Sequence, residues 1–271
     1  MKALITGANG MLGQDLAPLL QDNGWDVIET DIEQLDITDK KSVESVLDET
    51  NPDFVFHCAA YTNVEKAETD KDAAYLVNQT GAENIAKACK KRNITLVYIS
   101  TDYVFDGEKG TRYEENDSVN PINTYGKSKL AGELAIKQSC EKFYIVRTSW
   151  LYGIHGMNFV EKILAQEGKS EISVVDDEIS APTWTVELAE KLVNIRDYPY
   201  GTYHFCGGTP ISRYNFAKKI FELASVKTKV IPCKSSQFKT AAARPKYSAM
   251  KPSFKPESWE ASLKKYLDLR I

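Results

Sequence analysis

Residues 2–20 constrain the fold more than any other part of the chain. Lys2-Ala-Leu-Ile-Thr6 is a short apolar run, Gly7-Ala-Asn-Gly10-Met-Leu-Gly13 follows it, and Leu12, Leu16, Leu19 and Leu20 recur at helical spacing. The pattern reads as strand, glycine turn, helix. A dinucleotide pyrophosphate needs such a unit: one glycine for a sharp turn, a second where backbone approaches phosphate, a third where helix packs on strand, and free N–H groups facing the anion. The spacing is one residue wider at its first gap than the usual fingerprint, and an ordinary tight turn would also satisfy it. The N-terminal strand favours the nucleotide reading.

Beyond residue 20, strands and helices alternate as in a parallel sheet covered on both faces. Trp25–Thr30, Phe54–Cys58, Leu96–Ser100 and Phe143–Arg147 read as strands. Lys41–Glu49 reads as a helix capped by Thr38 or Asp39, Ala73–Lys91 as one long amphipathic helix, and a third helix carries Tyr125, Lys129, Leu130 and Leu134. The expected class is α/β, a doubly wound, Rossmann-like parallel sheet with a smaller C-terminal substrate-binding lobe. Helical patterns at Phe159–Gln166, Val186–Ile195 and Tyr214–Ala224 are interrupted by Pro182, Pro199, Pro210 and Pro232, and a Pro-, Lys- and Ser-rich stretch runs from Lys234 to Pro256. Residues 1–149 are therefore read as the dinucleotide-binding domain, with segments returning to it near 158–168 and 185–204, and 150–271 as mainly the substrate lobe.

Composition narrows the function classes. No run approaches the roughly 18 apolar residues of a membrane span, and the opening residues lack a leader pattern, so a cytoplasmic enzyme without a membrane partner is expected. Cys58, Cys89, Cys140, Cys206 and Cys233 are scattered and odd in number, which suits buried thiols better than disulfides or zinc. A net charge of −4 argues against nucleic acid as a partner. A homodimer is expected on base rates alone.

The chemistry gathers at strand ends. Tyr125-Gly-Lys-Ser-Lys129 puts a phenol and an ammonium on one helix face, where the cation is expected to draw the phenol's pKa down toward neutrality. Asp31 follows the second strand, 24 residues after Gly7, where a carboxylate accepts hydrogen bonds from an adenosine ribose and repels a 2′-phosphate. Charge thus leans toward NADH over NADPH. Asp36 and Ile37 offer an edge and a face for adenine, and Ala59-Ala60-Tyr61-Thr62 leaves room for a dinucleotide across the sheet edge. Ser100 or Thr101 can hydrogen-bond a substrate carbonyl, and strand alternation allows one of them inward. His57, His155 and His204 have no metal-ligand spacing; the first and last, inside strands, are read as structural. Asn78 is read as binding backbone or water near the site.

With these residues the chain resembles the extended short-chain dehydrogenase/reductases, and among them the dTDP-4-dehydrorhamnose reductases. The likeness rests on Gly7–Gly13, Ala59–Glu68, Ser100–Asp106 with Gly107, Tyr125–Glu133 and Arg147-Thr-Ser-Trp-Leu-Tyr-Gly153, extended by Ala181-Pro-Thr183 and Arg244-Pro245. It implies reduction of a 4-keto dTDP-sugar by NADPH or NADH, with Thr101, Tyr125 and Lys129 catalytic. It implies that Gly7, Gly10, Met11, Leu12, Gly13, Asp31, Asp36, Ile37, Ala59, Ala60, Tyr61, Thr62, Tyr125 and Lys129 hold the cofactor. Thr101, Asp102, Tyr103, Trp150 and Arg244 are implied for the substrate. Some relatives hold Mg2+ at a dimer contact through glutamates; Asp15 and Glu187 lie in comparable regions, but no ligand cluster stands out, and no metal site is assigned. Val175-Asp-Asp-Glu-Ile-Ser-Ala-Pro-Thr183 departs from the resemblance, since relatives usually carry Asp-Gln and a glycine there, which puts the identity of the sugar in question. The alternatives are a nucleotide-sugar epimerase or dehydratase of the same fold and a non-catalytic regulatory subunit.

Overall fold

The computed structural model describes residues 1–270. Its first half runs β1 (Lys2–Thr6), α1 (Met11–Asp22), β2 (Asp26–Thr30), α2 (Lys40–Thr50), β3 (Phe54–His57), α3 (Val64–Ala67), α4 (Lys71–Tyr75), a π-turn (Leu76–Gly81), α5 (Ala82–Arg92), β4 (Thr95–Thr101), α6 (Thr124–Ser139) and β5 (Phe143–Thr148). The second half runs β6 (Leu151–Tyr152), α7 (Phe159–Leu164), β7 (Glu171–Val175), β8 (Ile179–Ser180), β9 (Thr183–Trp184), α8 (Thr185–Val193), β10 (Gly201–His204), β11 (Ile211–Ser212), α9 (Arg213–Leu223), β12 (Lys229–Cys233) and α10 (Trp259–Leu269). One parallel sheet, ordered β10-β5-β4-β3-β1-β2, forms the centre.

Strand alternation sorts this sheet's side chains into two cores. Ile5, Phe56, Val97 and Val146 face α1 and α8 together with Leu16, Leu20, Leu188 and Leu192. Leu4, Val55, Leu96, Tyr98 and Ile145 face α2, α5 and α6 with Val43, Leu47, Ile85 and Ile136. Both faces are thus buried, as a doubly wound fold requires. Helix starts are set by local polar side chains: Asp39 accepts from Lys41 N at 2.9 Å and Asn123 from Gly126 N at 2.8 Å. No helix among the described residues is long and apolar enough to cross a membrane.

The helix expected over Ala73–Lys91 is present, continuous from Lys71 to Arg92, but turns π-helical at Leu76–Gly81, where the Asn78 carbonyl accepts from the buried Tyr98 hydroxyl at 3.3 Å. At that point α6 comes so close that a Cβ on Gly132 would sit 2.2 Å from the same carbonyl oxygen. Inter-helix contact here overrides the regular helical ladder. Of the two segments expected to return to the large domain, residues 185–204 supply α8 beside α1 and β10 beside β5. Residues 158–168 do not return: Val160 and Ile163 of α7 pack with Phe216, Ile220 and Phe221 of α9 in the core of the C-terminal lobe, because their apolar stripe matches that helix.

Candidate active site

All six strands of the main sheet end on one edge, and the chain leaves β1 toward β2 on one side and β3 on the other. Open α/β sheets take ligands at such a switch point. A cavity of about 990 Å³ opens there, lined by residues from Gly7 to Gln14, Asp31 to Thr38 and Cys58 to Thr62 on the sheet side. From the C-terminal lobe come Trp150, Asn158, Lys162 and Arg213. Every residue named above for cofactor or substrate lines it except Lys129 and Arg244.

The sheet-side end is made mostly of backbone. Gly7 adopts φ +66°, and a Cβ there would lie 2.7 Å from the N and Cα of Ala59, so only glycine lets the turn rest on the loop after β3. Gly10 caps α1 without a side chain, leaving the first amides of a 12-residue helix open toward the cavity. An anion fits that position. Asp31 accepts from Asn9 N at 3.2 Å and Ile32 N at 2.8 Å, which fixes its carboxylate beside the turn. Asp36 lines the cavity but is tied to Thr38 through its hydroxyl (2.7 Å) and amide (2.9 Å), and these bonds hold it below the usual carboxylate range. Asn78, buried in the π-turn, binds both backbone groups of Tyr61 at 2.9 and 3.1 Å and donates to Ser128 Oγ at 2.9 Å. It therefore couples the Ala59–Thr62 loop to the helix that carries Tyr125. Together these features fit a nicotinamide dinucleotide.

Thr101 and Tyr125 both line the cavity, with the Thr101 side chain against the Tyr125 phenol. Burial raises the Tyr125 phenol, with the Thr101 hydroxyl opposing in part and Asp102 adding to the rise. The expectation that Lys129 draws this phenol down is not met: the Lys129 ammonium lies 4.0 Å over the ring of Tyr98, behind the cavity wall. Lys129 is itself pushed down to about 7, by burial first, with Glu133 and Cys58 opposing. Burial thus shifts the phenol in the cavity up and the lysine behind its wall down. The Thr101 hydroxyl accepts from Tyr103 N at 3.1 Å and donates to Asp102 Oδ1 at 3.2 Å. Burial pushes Asp102 up to about 6 although Ser180, Ser248 and Thr101 all hydrogen-bond it. Ser100 faces the other way, donating to Glu133 at 2.6 Å.

Side chains make the far end. Trp150 sits at φ +43°, a region bulky residues rarely adopt, and the surrounding structure holds it there. Ser149 Oγ donates to Ala181 O at 2.7 Å, and Thr183 N donates to Trp150 O at 3.3 Å. The Arg213 guanidinium lies 4.2 Å over the Trp150 ring, and its Nε donates to Glu178 Oε2 at 2.8 Å. Lys162 adds a second cation. Arg244 instead binds Glu65 and the Ala242 carbonyl, outside the cavity lining. Arg213 and Lys162 were not singled out in the sequence, which offers only ordinary helical positions for them.

His155 also lines the cavity and faces Asp15 at 3.4 Å, while burial raises the Asp15 carboxyl. Glu187 accepts from Glu257 N at 3.0 Å and Ser262 Oγ at 3.2 Å. Among the described residues, no three His, Cys, Asp or Glu side chains are grouped to hold a metal. His57 binds Thr6 Oγ1 at 2.7 Å, and burial lowers its pKa to about 3; His204 is likewise lowered, to about 4.

The family model for the RmlD substrate binding domain matches residues 1–270. A dTDP-4-dehydrorhamnose reductase from Bacillus anthracis str. Ames, solved in complex with NADP, is 42% identical, with 99% of each chain covered and a TM-score of 0.96. A dTDP-4-dehydrorhamnose reductase of Aggregatibacter actinomycetemcomitans is 37% identical over 97% of both chains. A dTDP-4-keto-6-deoxy-D-glucose reductase of Streptomyces niveus is 41% identical over 91% of this chain and 87% of its own.

Proposed function

The chain belongs to the RmlD substrate-binding-domain family, and we propose that it reduces the 4-keto group of dTDP-4-dehydro-L-rhamnose, giving dTDP-L-rhamnose in the cytoplasm. The observation that carries this reading is the meeting of Thr101 and Tyr125 between an anion-binding glycine turn and the Trp150–Arg213 pair in one cavity. When bound, the nicotinamide dinucleotide supplies the hydride that becomes the new C4–H bond of the sugar. Gly7 to Gly13 and the open α1 N-terminus would hold its pyrophosphate and Asp31 its adenosine ribose; Lys129, over the Tyr98 ring behind the wall, would reach the nicotinamide ribose only by leaving that ring.

Tyr125 gives its proton to the carbonyl oxygen as negative charge develops there. A phenol raised by burial suits this role, because it stays protonated until that charge appears. Thr101 has one hydroxyl proton, so hydrogen-bonding the same oxygen requires it to turn from Asp102. Arg213 and Lys162 would take the substrate's diphosphate, and the Trp150 ring face its sugar or base. The tied carboxylate of Asp31 supports a preference for NADH, since its charge opposes a 2′-phosphate, although the Bacillus anthracis relative was solved with NADP.

A second reading is another 4-keto sugar on the same nucleotide, favoured by Glu178 and Ser180 in the altered loop, where they contact Arg213 and Asp102. The test is dinucleotide oxidation with purified dTDP-4-dehydro-L-rhamnose, and with dTDP-4-keto-6-deoxy-D-glucose in parallel, each with NADH and NADPH. Sustained consumption of reduced dinucleotide, one per product formed, is expected with the first sugar. Turnover without net oxidation would point to an epimerase or dehydratase, and binding without turnover to a regulatory subunit.

A further inference from the structure

Behind the cavity wall, one buried carboxylate touches every element that carries the reacting groups. Glu133 is fully buried on α6, one helical turn beyond Lys129 and two beyond Tyr125. It accepts from Arg147 Nε at 2.9 Å and Nη2 at 2.7 Å, a two-pronged pairing, and from Ser100 Oγ at 2.6 Å. Ser100 and Arg147 are direct cross-strand partners, and the next pair in register is Thr101 with Thr148, at the cavity. Arg147 is held in turn: its guanidinium lies 5.2 Å from the Phe105 ring, and Nη1 donates to Glu115 O at 3.3 Å.

We infer that Glu133 is a positioning residue, fixing the Tyr125–Lys129 helix in register with the Thr101 strand end and serving as counter-charge to the Lys129 ammonium. The inference rests on the proposed reduction, since it assigns Glu133 a task in that reaction. Two separate bodies, a helix and a strand pair, must present the phenol and the hydroxyl to one oxygen. Asn78 links them indirectly, through Tyr98 and Ser128, whereas the Glu133 contacts tie helix to strand pair directly, and a directed ion pair resists sliding more than apolar packing does. A fully buried carboxylate is costly unless its partners are well placed, and the contacts from Arg147 and Ser100 meet that condition.

The second half of the task follows from the surroundings of Lys129. Tyr98 of β4 lies under its ammonium, His57 and Cys58 approach from the end of β3, and Tyr125 and Glu133 share its helix. Glu133 is the carboxylate among these groups. Burial alone favours the neutral amine, and Glu133 opposes it.

The test uses full-length Glu133→Gln, Glu133→Asp and the double variant Glu133→Gln/Arg147→Met, which leaves no unpaired guanidinium if the single variant fails to fold. For each, the pH dependence of kcat and of NADH affinity (by fluorescence) is measured. Loss of the charge is expected to move the alkaline fall of both profiles down by about 1 pH unit, in the single or the double variant, with kcat reduced about tenfold and sugar KM little changed. Glu133→Asp should keep the wild-type pH profile but lose turnover, because the charge stays while the reach shortens. A lower melting temperature with unchanged pH profiles and unchanged kcat would overturn the inference. If the wild type turned over no 4-keto sugar, the proposed function would fail, while the NADH-affinity profiles would still decide the role of Glu133.

Discussion

The two ends of the cavity are built differently. At the sheet end, contacts come from backbone: a glycine at positive φ, an uncapped helix start and small residues at 59 and 60. At the lobe end they come from side chains brought from distant parts of the chain, with Trp150, Glu178 and Arg213 stacked and paired across more than sixty residues of sequence. Backbone recognition depends on which residues are missing a side chain, whereas side-chain recognition depends on how separate elements dock. The first end can therefore stay constant while the second changes with the sugar. Asp102, bonded by Ser180 and Ser248 of the lobe and by its neighbour Thr101, is the seam between them.

The strongest challenge to this division is Tyr125→Phe, which removes the donor at the junction and nothing else. Turnover should fall by at least ~10²-fold while dinucleotide affinity, measured by fluorescence titration, stays unchanged. A variant that kept its turnover would mean that the two ends do not converge on that phenol.

Asp102→Asn probes the seam through pH. Because burial raises the carboxyl from 3.8 to about 6, the folded protein binds a proton between those values that the unfolded chain has released. Asp102 therefore costs stability that grows as pH rises from about 4 to 6 and is fully present above 6. Across that window the variant should gain up to about 3 kcal/mol relative to the wild type, read from denaturant melts at each pH. A constant difference would show that Asp102 does not hold the two ends together as a buried charge.

Gly7→Ala should disable one end only. The new Cβ meets Ala59 backbone at 2.7 Å, and the positive φ adds strain, together about 1–3 kcal/mol. Thermal shift by NADH should shrink while the shift by dTDP remains. The converse variant, Arg213→Lys, keeps the charge beside Glu178 but loses the planar fork, and sugar-nucleotide KM is expected to rise about tenfold with NADH affinity intact. Coupled losses in either variant would erase the distinction between the ends.

Legibility in the sequence follows the same line. β1 and the glycine turn were readable because a strand, three glycines and a helical apolar pattern are contiguous, and the cavity-lining positions from Gly7 to Thr62 follow strand ends in order. Tyr125 stood out by the Tyr-x-x-x-Lys spacing, whereas residue type left Ser100 or Thr101 open and only the resemblance chose Thr101. Arg213 did not stand out, because nothing near Arg213 in the chain announces that α9 begins against Trp150. Nor did the place of Lys129: spacing puts it on the phenol's face of the helix, but only packing sets its ammonium over Tyr98.

Local pattern alone determined the parallel sheet and the glycine turn at its edge, since strand alternation, glycine freedom and helix periodicity act over a few residues. Tertiary structure decided which cations line the cavity, where the long helix turns π-helical, how α7 docks and what Glu133 contacts. Those outcomes depend on the close approach of segments far apart in sequence, which no short-range preference encodes.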